Sequence, residues 1–194
     1  MIVRNDPSRH LTVAELGRLL RALARSRSGG AYLASVLMLN LGLRVGEALA
    51  IRVDDVSENA RSIVAPTLKR KKPTTHRHQV PEPVAAVVRR HVRYAQSVSS
   101  PWLVFNRQNP SRPISPRSIQ RTMARAAAAA GLADRGITPH TLRHCRAMLL
   151  WTASRDRAIV AHDLRHADPR SADAYVHADE GRYRDALLSV PTIT

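Results

Sequence analysis

Ile137-Thr138-Pro139-His140-Thr141-Leu142-Arg143-His144, followed by Leu164-Arg165-His166-Ala167-Asp168-Pro169 and then Tyr175, is the stretch that governs how the rest of this 194-residue chain is read. Thr138 has the side chain of an N-cap and Pro139 suits the first helical position, so a helix is expected to start here. His140 and Arg143 stand three apart on it. Both then project from one face near the N-terminal end, where unpaired backbone N–H groups and the helix dipole already favour an anion. The combination predicts a phosphate site. Leu164-Arg165-His166 reads as a helix end with a histidine at the turn. Asp168 and Pro169 then cap a new helix that carries Tyr175 about two turns in, nine residues after His166. Phosphate-binding residues thus lie beside a nucleophile.

The upstream chain reads as mainly helical. Thr12-Val13-Ala14-Glu15 is a capping box for a helix with Leu16, Leu19, Leu20 and Leu23 inward and Arg18, Arg21 and Arg25 outward. Residues 31–41 are apolar on nearly every side and predict the central buried helix, with Gly42 as a left-handed cap that leaves Arg44 on a tight turn. Glu47 is either an ordinary surface carboxylate or the partner of a neighbouring basic side chain. Residues 52–56, 61–66 and 77–80 have strand composition and predict a small three-stranded antiparallel sheet, with Lys69, Arg70, Lys71 and Lys72 at the tip of its hairpin. Residues 83–96 form another helix, with Val84, Val87 and Val88 inward. A Pro- and Ser-rich connection comes next, whose Trp102 and Phe105 are expected to be core. Ser115 and Pro116 open a helix on which Arg117, Arg121 and Arg125 share one face, opposite Ile119, Met123, Ala126 and Ala130. A last amphipathic helix is expected over residues 179–190. The fold class is α+β, mainly α-helical, in a single domain over residues 1–194.

Charge narrows the partner. The net charge is +16, and residues 61–133 hold fourteen basic residues against one acid, Glu82, so thirteen of the sixteen net charges lie there. A sequence pI near 11.5 points to a polyanion, and a basic stripe on a helix suits a major groove, so Arg117, Ser118, Gln120, Arg121 and Arg125 are the DNA-binding candidates, with Lys71 and Lys72 on the hairpin. Lys69, Lys71 and Lys72 are the only lysines beside twenty-eight arginines, and lysine, unlike arginine, can give up a proton. A single cysteine, Cys145, excludes an internal disulfide and reads as packing. No run reaches the roughly 18 apolar residues of a membrane span, and with no signal peptide the chain is expected to be cytoplasmic. His140 and His144, and His162 and His166, each stand four apart, which is zinc-ligand spacing. With neither His-Glu-x-x-His nor a Cys pair, no metal is expected.

Together these residues resemble the tyrosine recombinase, or phage integrase, family, whose catalytic pattern is Arg, Lys, His-x-x-Arg, His or Trp, then Tyr. Leu41-Gly42-Leu43-Arg44-Val45-Gly46-Glu47 is similar to its first arginine box, and Thr67-Leu68-Lys69 ahead of Val80-Pro81 to its lysine hairpin. The boxes stand in family order over residues 12–190. The resemblance implies Arg44, Lys69, His140, Arg143, His166 and Tyr175 as catalytic, with Glu47 supporting and Lys72 a rival to Lys69 because the hairpin is long. Arg165 departs from the pattern, which usually has glycine before this histidine.

By this resemblance the chain is expected to be a site-specific recombinase or integrase that cleaves and rejoins double-stranded DNA through a 3′-phosphotyrosine. The bond energy is conserved, so no cofactor is required. The alternative is an accessory DNA-binding protein of the same fold with a weak or inactive site. The resemblance further implies a homo-oligomer, a tetramer on paired sites, assembled through the C-terminal helix; the other reading of that helix folds it back on its own core. It also implies an N-terminal core-binding domain that this chain lacks, so the chain is either a short catalytic-domain member or a fragment.

Overall fold

The computed structural model describes residues 11–68, 74–165 and 188–193. Helix α1 (Val13–Ala24) opens on the capping box read from the sequence. Thr12 N–H donates to Glu15 Oε2 at 2.8 Å and Glu15 N–H to Thr12 Oγ1 at 3.2 Å, which satisfies two of the amide donors a helix start leaves open. The hydrogen bond from the Thr12 amide is also the main reason the Glu15 carboxyl lies below its usual range. Leu16, Leu19, Leu20 and Leu23 form the buried stripe.

Helix α2 (Gly29–Leu41) is the centre of the molecule, because every residue from Ala31 to Leu41 is buried. A helix apolar all round must be covered all round. The others accordingly surround it: α1, α3 (Val45–Leu49), α4 (Glu82–Ser97), α5 (Pro116–Ala129) and α6 (Pro139–Ser154) all pack against α2. Truncating Leu33, Leu37 or Leu39, all at or near zero exposure, would cost roughly 2–5 kcal/mol each. His91 ties α4 to the first turn of α2, its ring lying 2.9 Å from the Val87 carbonyl and 3.1 Å from that of Gly29. Helix α7 (Arg157–Asp163) packs on α6.

The strands correct one expectation. In place of a three-stranded sheet there are two hairpins among the described residues: β1 (Ser62–Thr67) with β2 (Thr74–Gln79), and β3 (Phe105–Asn106) with β4 (Asn109–Pro113). Residues 52–56 do not extend, because Asp55 Oδ2 accepts the Arg52 N–H at 2.8 Å and the Val56 N–H returns to the Val53 carbonyl at 3.1 Å, winding Val53–Asp55 into a 3-10 turn. Only the ends of that stretch keep strand contacts, as the bridges Arg52↔Trp102 and Val56↔Ile63. The second hairpin lies in the stretch read as a connection. Phe105 is core as expected, whereas Trp102 is half-buried, with its indole N–H on the Ser111 carbonyl at 3.1 Å and the Arg52 guanidinium 5.2 Å from its ring centroid.

Most of the helix expected over residues 179–190 lies outside the described residues. The end of the chain is seen on its own core: the Ile193 side chain is buried, the Asn40 side-chain amide donates to the Ile193 carbonyl at 2.9 Å, and Asn40 Oδ1 accepts the Ile193 N–H at 3.2 Å. Cys145 is buried too, where its sulfur accepts the Leu11 N–H and burial pushes the thiol up. No helix among the described residues is long and apolar enough to cross a membrane.

Candidate active site

Gly42 closes α2 in the left-handed conformation, at φ +62, and a Cβ there would meet Leu164 Cδ2 at 2.9 Å and Asp163 Oδ2 at 3.1 Å. Only glycine satisfies both the φ and the space. The chain therefore turns sharply against the end of α7 and delivers Arg44 as the residue before α3. Glu47, on the first turn of α3, is completely buried. Its Oε2 accepts the Arg44 N–H at 2.8 Å, and its Oε1 takes Arg44 Nη1 at 3.0 Å. The supporting role expected of Glu47 has a geometric basis, because one carboxylate both caps the helix and orients the arginine. Arg44 keeps 28% of its side chain exposed, so its guanidinium faces the surface from this mount.

Helix α6 begins as read from the sequence, with the Thr138 N–H donating to Thr141 Oγ1 at 3.1 Å. His140 is exposed on its first turn, and Arg143, one turn further on, is buried. Arg143 Nη1 donates to the Gly42 carbonyl and Nη2 to the Leu164 carbonyl. It thus stitches the end of α2 to the end of α7, and only its remaining N–H groups could address a phosphate. Burial, then the nearby Arg44 charge, pushes Arg143 down to about 10, so it remains a cation at neutral pH.

Several neighbours escaped the sequence reading. Arg146 forms a buried two-pronged ion pair with Asp163, Nε to Oδ2 at 3.1 Å and Nη2 to Oδ1 at 3.0 Å, which locks α7 onto α6. Removing one partner of such a pair typically costs about 3–5 kcal/mol. Arg165 is buried at φ +49, with Nη2 on Glu47 Oε2 and Nη1 on His78 Nε2, both at 2.9 Å. His78 and His76, on β2, meet edge to face at 4.8 Å. The signals for this cluster existed: Arg143 and Arg146 stand three apart on one helix face, and His76 and His78 two apart in a strand. What no pattern gave is the partner across the fold.

Lys69, Lys71, Lys72, His166 and Tyr175 lie outside the described residues. The segments leading to two of them are seen. Leu68, immediately before Lys69, has Cδ1 3.2 Å from where a Cβ on Gly46 would stand, so the hairpin rises beside α3. Arg165, immediately before His166, is bonded to Glu47. Arg44, Arg143 and the approaches to Lys69 and His166 therefore converge on Glu47 and Gly42. Arg117, Arg121 and Arg125, with Gln120, form the exposed face of α5, and Ser118 is half-buried in its cap, its N–H donating to Ser115 Oγ at 3.1 Å. No group of three or more His, Cys, Asp or Glu residues among those described could hold a metal ion.

Chemically, the arrangement offers a cation fixed at the surface, a second cation behind it and an imidazole at a helix N-terminus, which together can neutralise a phosphate and move a proton. The model of the phage integrase family matches residues 9–182. A tyrosine recombinase XerC of Methylobacterium sp. (strain 4-46) is 31% identical over 154 residues, covering 78% of this chain and 46% of its own length. A tyrosine recombinase XerD of Caulobacter vibrioides is 26% identical over 195 residues, covering 89% and 63%. The chain spans about half to two thirds of the length of these relatives. Among solved structures, the XerA recombinase superposes with a TM-score of 0.71 at 21% identity, covering 91% of this chain and 62% of that one. The lambda integrase catalytic core superposes at 0.62 and 20% identity, covering 80% and 93%. A XerH site-specific recombinase bound to its difH substrate superposes at 0.67 and 19% identity, covering 87% and 50%.

Proposed function

The chain belongs to the phage integrase family, and from that premise we propose that it is a site-specific DNA recombinase acting through a 3′-phosphotyrosine. The reading keeps the two-arginine, histidine and tyrosine chemistry. Tyr175 attacks the scissile phosphorus, the bond to the 5′ oxygen breaks, and that oxygen leaves as a hydroxyl once protonated. Lys69, or Lys72 beside it, supplies the proton. Arg44 and Arg143 neutralise the non-bridging oxygens, and His166 adds a third donor. Each such contact is worth roughly 10² to 10³ in rate by analogy with oxyanion-hole donors. His140, exposed on the first turn of α6, exchanges a proton with the nucleophile. The phosphodiester energy is held in the phosphotyrosine, so resealing needs neither nucleotide nor metal.

Duplex DNA is the substrate, met by the arginine face of α5, which carries Arg117, Arg121 and Arg125, and by the hairpin carrying Lys71 and Lys72. Copies assemble on paired sites, as a tetramer when two duplexes are joined, and the protein works in the cytoplasm. The observation that carries the reading is the convergence on one buried carboxylate: Glu47 holds Arg44, and the same turn receives Arg143 through the Gly42 carbonyl, 101 residues away in sequence.

The test is covalent trapping on a pool of nicked duplexes with randomised arms. Wild type is expected to form an SDS-resistant adduct that maps to Tyr175. Tyr175→Phe should abolish it while DNA binding stays within about twofold, since only the nucleophilic oxygen is removed. Tyr183→Phe should keep it. An adduct on Tyr183 would move the nucleophile, and no adduct from wild type would replace the enzyme by a DNA-binding accessory protein.

A further inference from the structure

We infer that Arg165 is a positioning residue whose buried guanidinium clamps Glu47 and thereby fixes Arg44 toward the phosphate, an inference that rests on the strand-transfer reading above. The first observation is a local cost. Arg165 stands at φ +49, a left-handed conformation that strains a residue with a side chain and that glycine adopts freely. A second cost is burial of its charge, with only 9% of the residue exposed. A residue at the end of a surface helix would relieve both by being glycine. The fold keeps the arginine, and of the two contacts its head group makes among the described residues, one reaches Glu47, which holds Arg44, and the other His78 on β2.

Those contacts join three separate elements. Nη2 donates to Glu47 Oε2 at 2.9 Å, reaching from the end of α7 to α3. Nη1 donates to His78 Nε2, also at 2.9 Å, which adds β2. Arginine has no acceptor, so His78 must accept at Nε2 and carry its proton on Nδ1. The orientation of Arg165 is thus fixed at both ends of its fork. Without it, the described partners of Glu47 are the backbone and side chain of Arg44, three residues earlier on the same turn, so carboxylate and arginine could swing together. Arg165 ties that pair to the rest of the fold. The preceding residue completes the arrangement, since the Leu164 carbonyl receives Arg143. One two-residue segment therefore sets both arginines. Both terminal nitrogens of Arg165 are engaged and the residue is buried, so it acts through Arg44 and not on the phosphate itself.

The test uses the full chain as Arg165→Gly and Arg165→Lys. The first readout needs no DNA: the side-chain N–H signals of Arg44 in NMR, assigned by their loss in Arg44→Lys. These should be resolved in wild type, lost in Arg165→Gly and weakened in Arg165→Lys, because lysine presents its N–H groups from one nitrogen on a flexible stem and lacks the rigid fork that spans Glu47 and His78. The second is the rate of adduct formation on the nicked-duplex pool. Arg165→Gly should slow it about 10- to 100-fold, the scale of a misplaced catalytic group, while affinity for the same duplexes stays within about twofold. Arg44 signals unchanged in Arg165→Gly, with an adduct rate within about twofold of wild type, overturn the inference. If wild type forms no adduct, the strand-transfer reading fails, and the Arg44 signals alone decide whether Arg165 holds that side chain. Should Arg165→Gly not unfold cooperatively, the lysine variant decides: behaviour identical to wild type in both readouts overturns the proposal.

Discussion

His78 shows how much of this site is decided one residue at a time. Its ring is buried, accepts from Arg165 and touches His76, with Asp163 and Arg146 also within electrostatic reach. Burial first, then the Arg165 charge, pushes it down to about 3 from the usual histidine value of 6.5. The folded protein therefore holds His78 neutral, whereas the unfolded chain protonates it near 6.5. As pH falls through that value the unfolded state takes up a proton that the folded state refuses, so the stability His78 contributes is complete above 6.5 and drains away toward pH 3. His76 and His91 are shifted the same way, mainly by burial, and add to the acid loss. His78→Gln keeps an acceptor for Arg165 and removes the titration. Unfolding free energies from urea titrations between pH 7 and pH 4 should fall less steeply in this variant, by up to about 1.4 kcal/mol per pH unit. Parallel curves for variant and wild type would show that the ring does not titrate with folding.

At the scale of elements, the helices were legible because each carries its own period and its own caps. α1 buries the four leucines its pattern names, and α5 keeps Arg117, Arg121 and Arg125 exposed opposite Ile119 and Met123. The proposed DNA contact would divide these two basic helices. If α5 lies on DNA, Arg121→Ala should weaken binding to the duplex pool by about tenfold, near the low end of the 1–3 kcal/mol of a base contact. Arg25→Ala, at the end of α1, should change it by less than about twofold. A gel shift at one fixed salt concentration compares them, and equal effects would place the DNA on another face. The strands were less legible for a physical reason. Residues 52–56 have the composition of a strand, but Asp55 captures the Arg52 amide locally and curls the segment before a neighbour can pair with it.

For the molecule as a whole, the charge distribution is the property with the longest reach. With thirteen of the sixteen net positive charges between residues 61 and 133, binding to duplex DNA should release several counterions. Affinity is then expected to fall by orders of magnitude between about 50 and 200 mM salt. Fluorescence anisotropy over that range gives the slope of log affinity against log salt, and a flat plot would mean that the basic tract is a solvated surface.

Local pattern was enough to establish the family, the mainly helical class, the buried central helix and its glycine turn, and the helix starts on which Arg44, His140 and Arg143 stand, because periodicity, caps and motif spacing are carried by neighbouring residues. It did not determine which of those side chains would face outward. Arg44 and Arg143 look alike in sequence, yet one stands at the surface on Glu47 and the other is buried, with N–H groups of Nη1 and Nη2 on the Gly42 and Leu164 carbonyls. Nor did it reveal that Arg165, where the pattern usually has glycine, would reach Glu47 from 118 residues away, or that His78 would meet it there. Partners that far apart along the chain are chosen only when α3, α7 and β2 are brought together around the core, since a buried guanidinium must find whatever acceptors the packing leaves within reach.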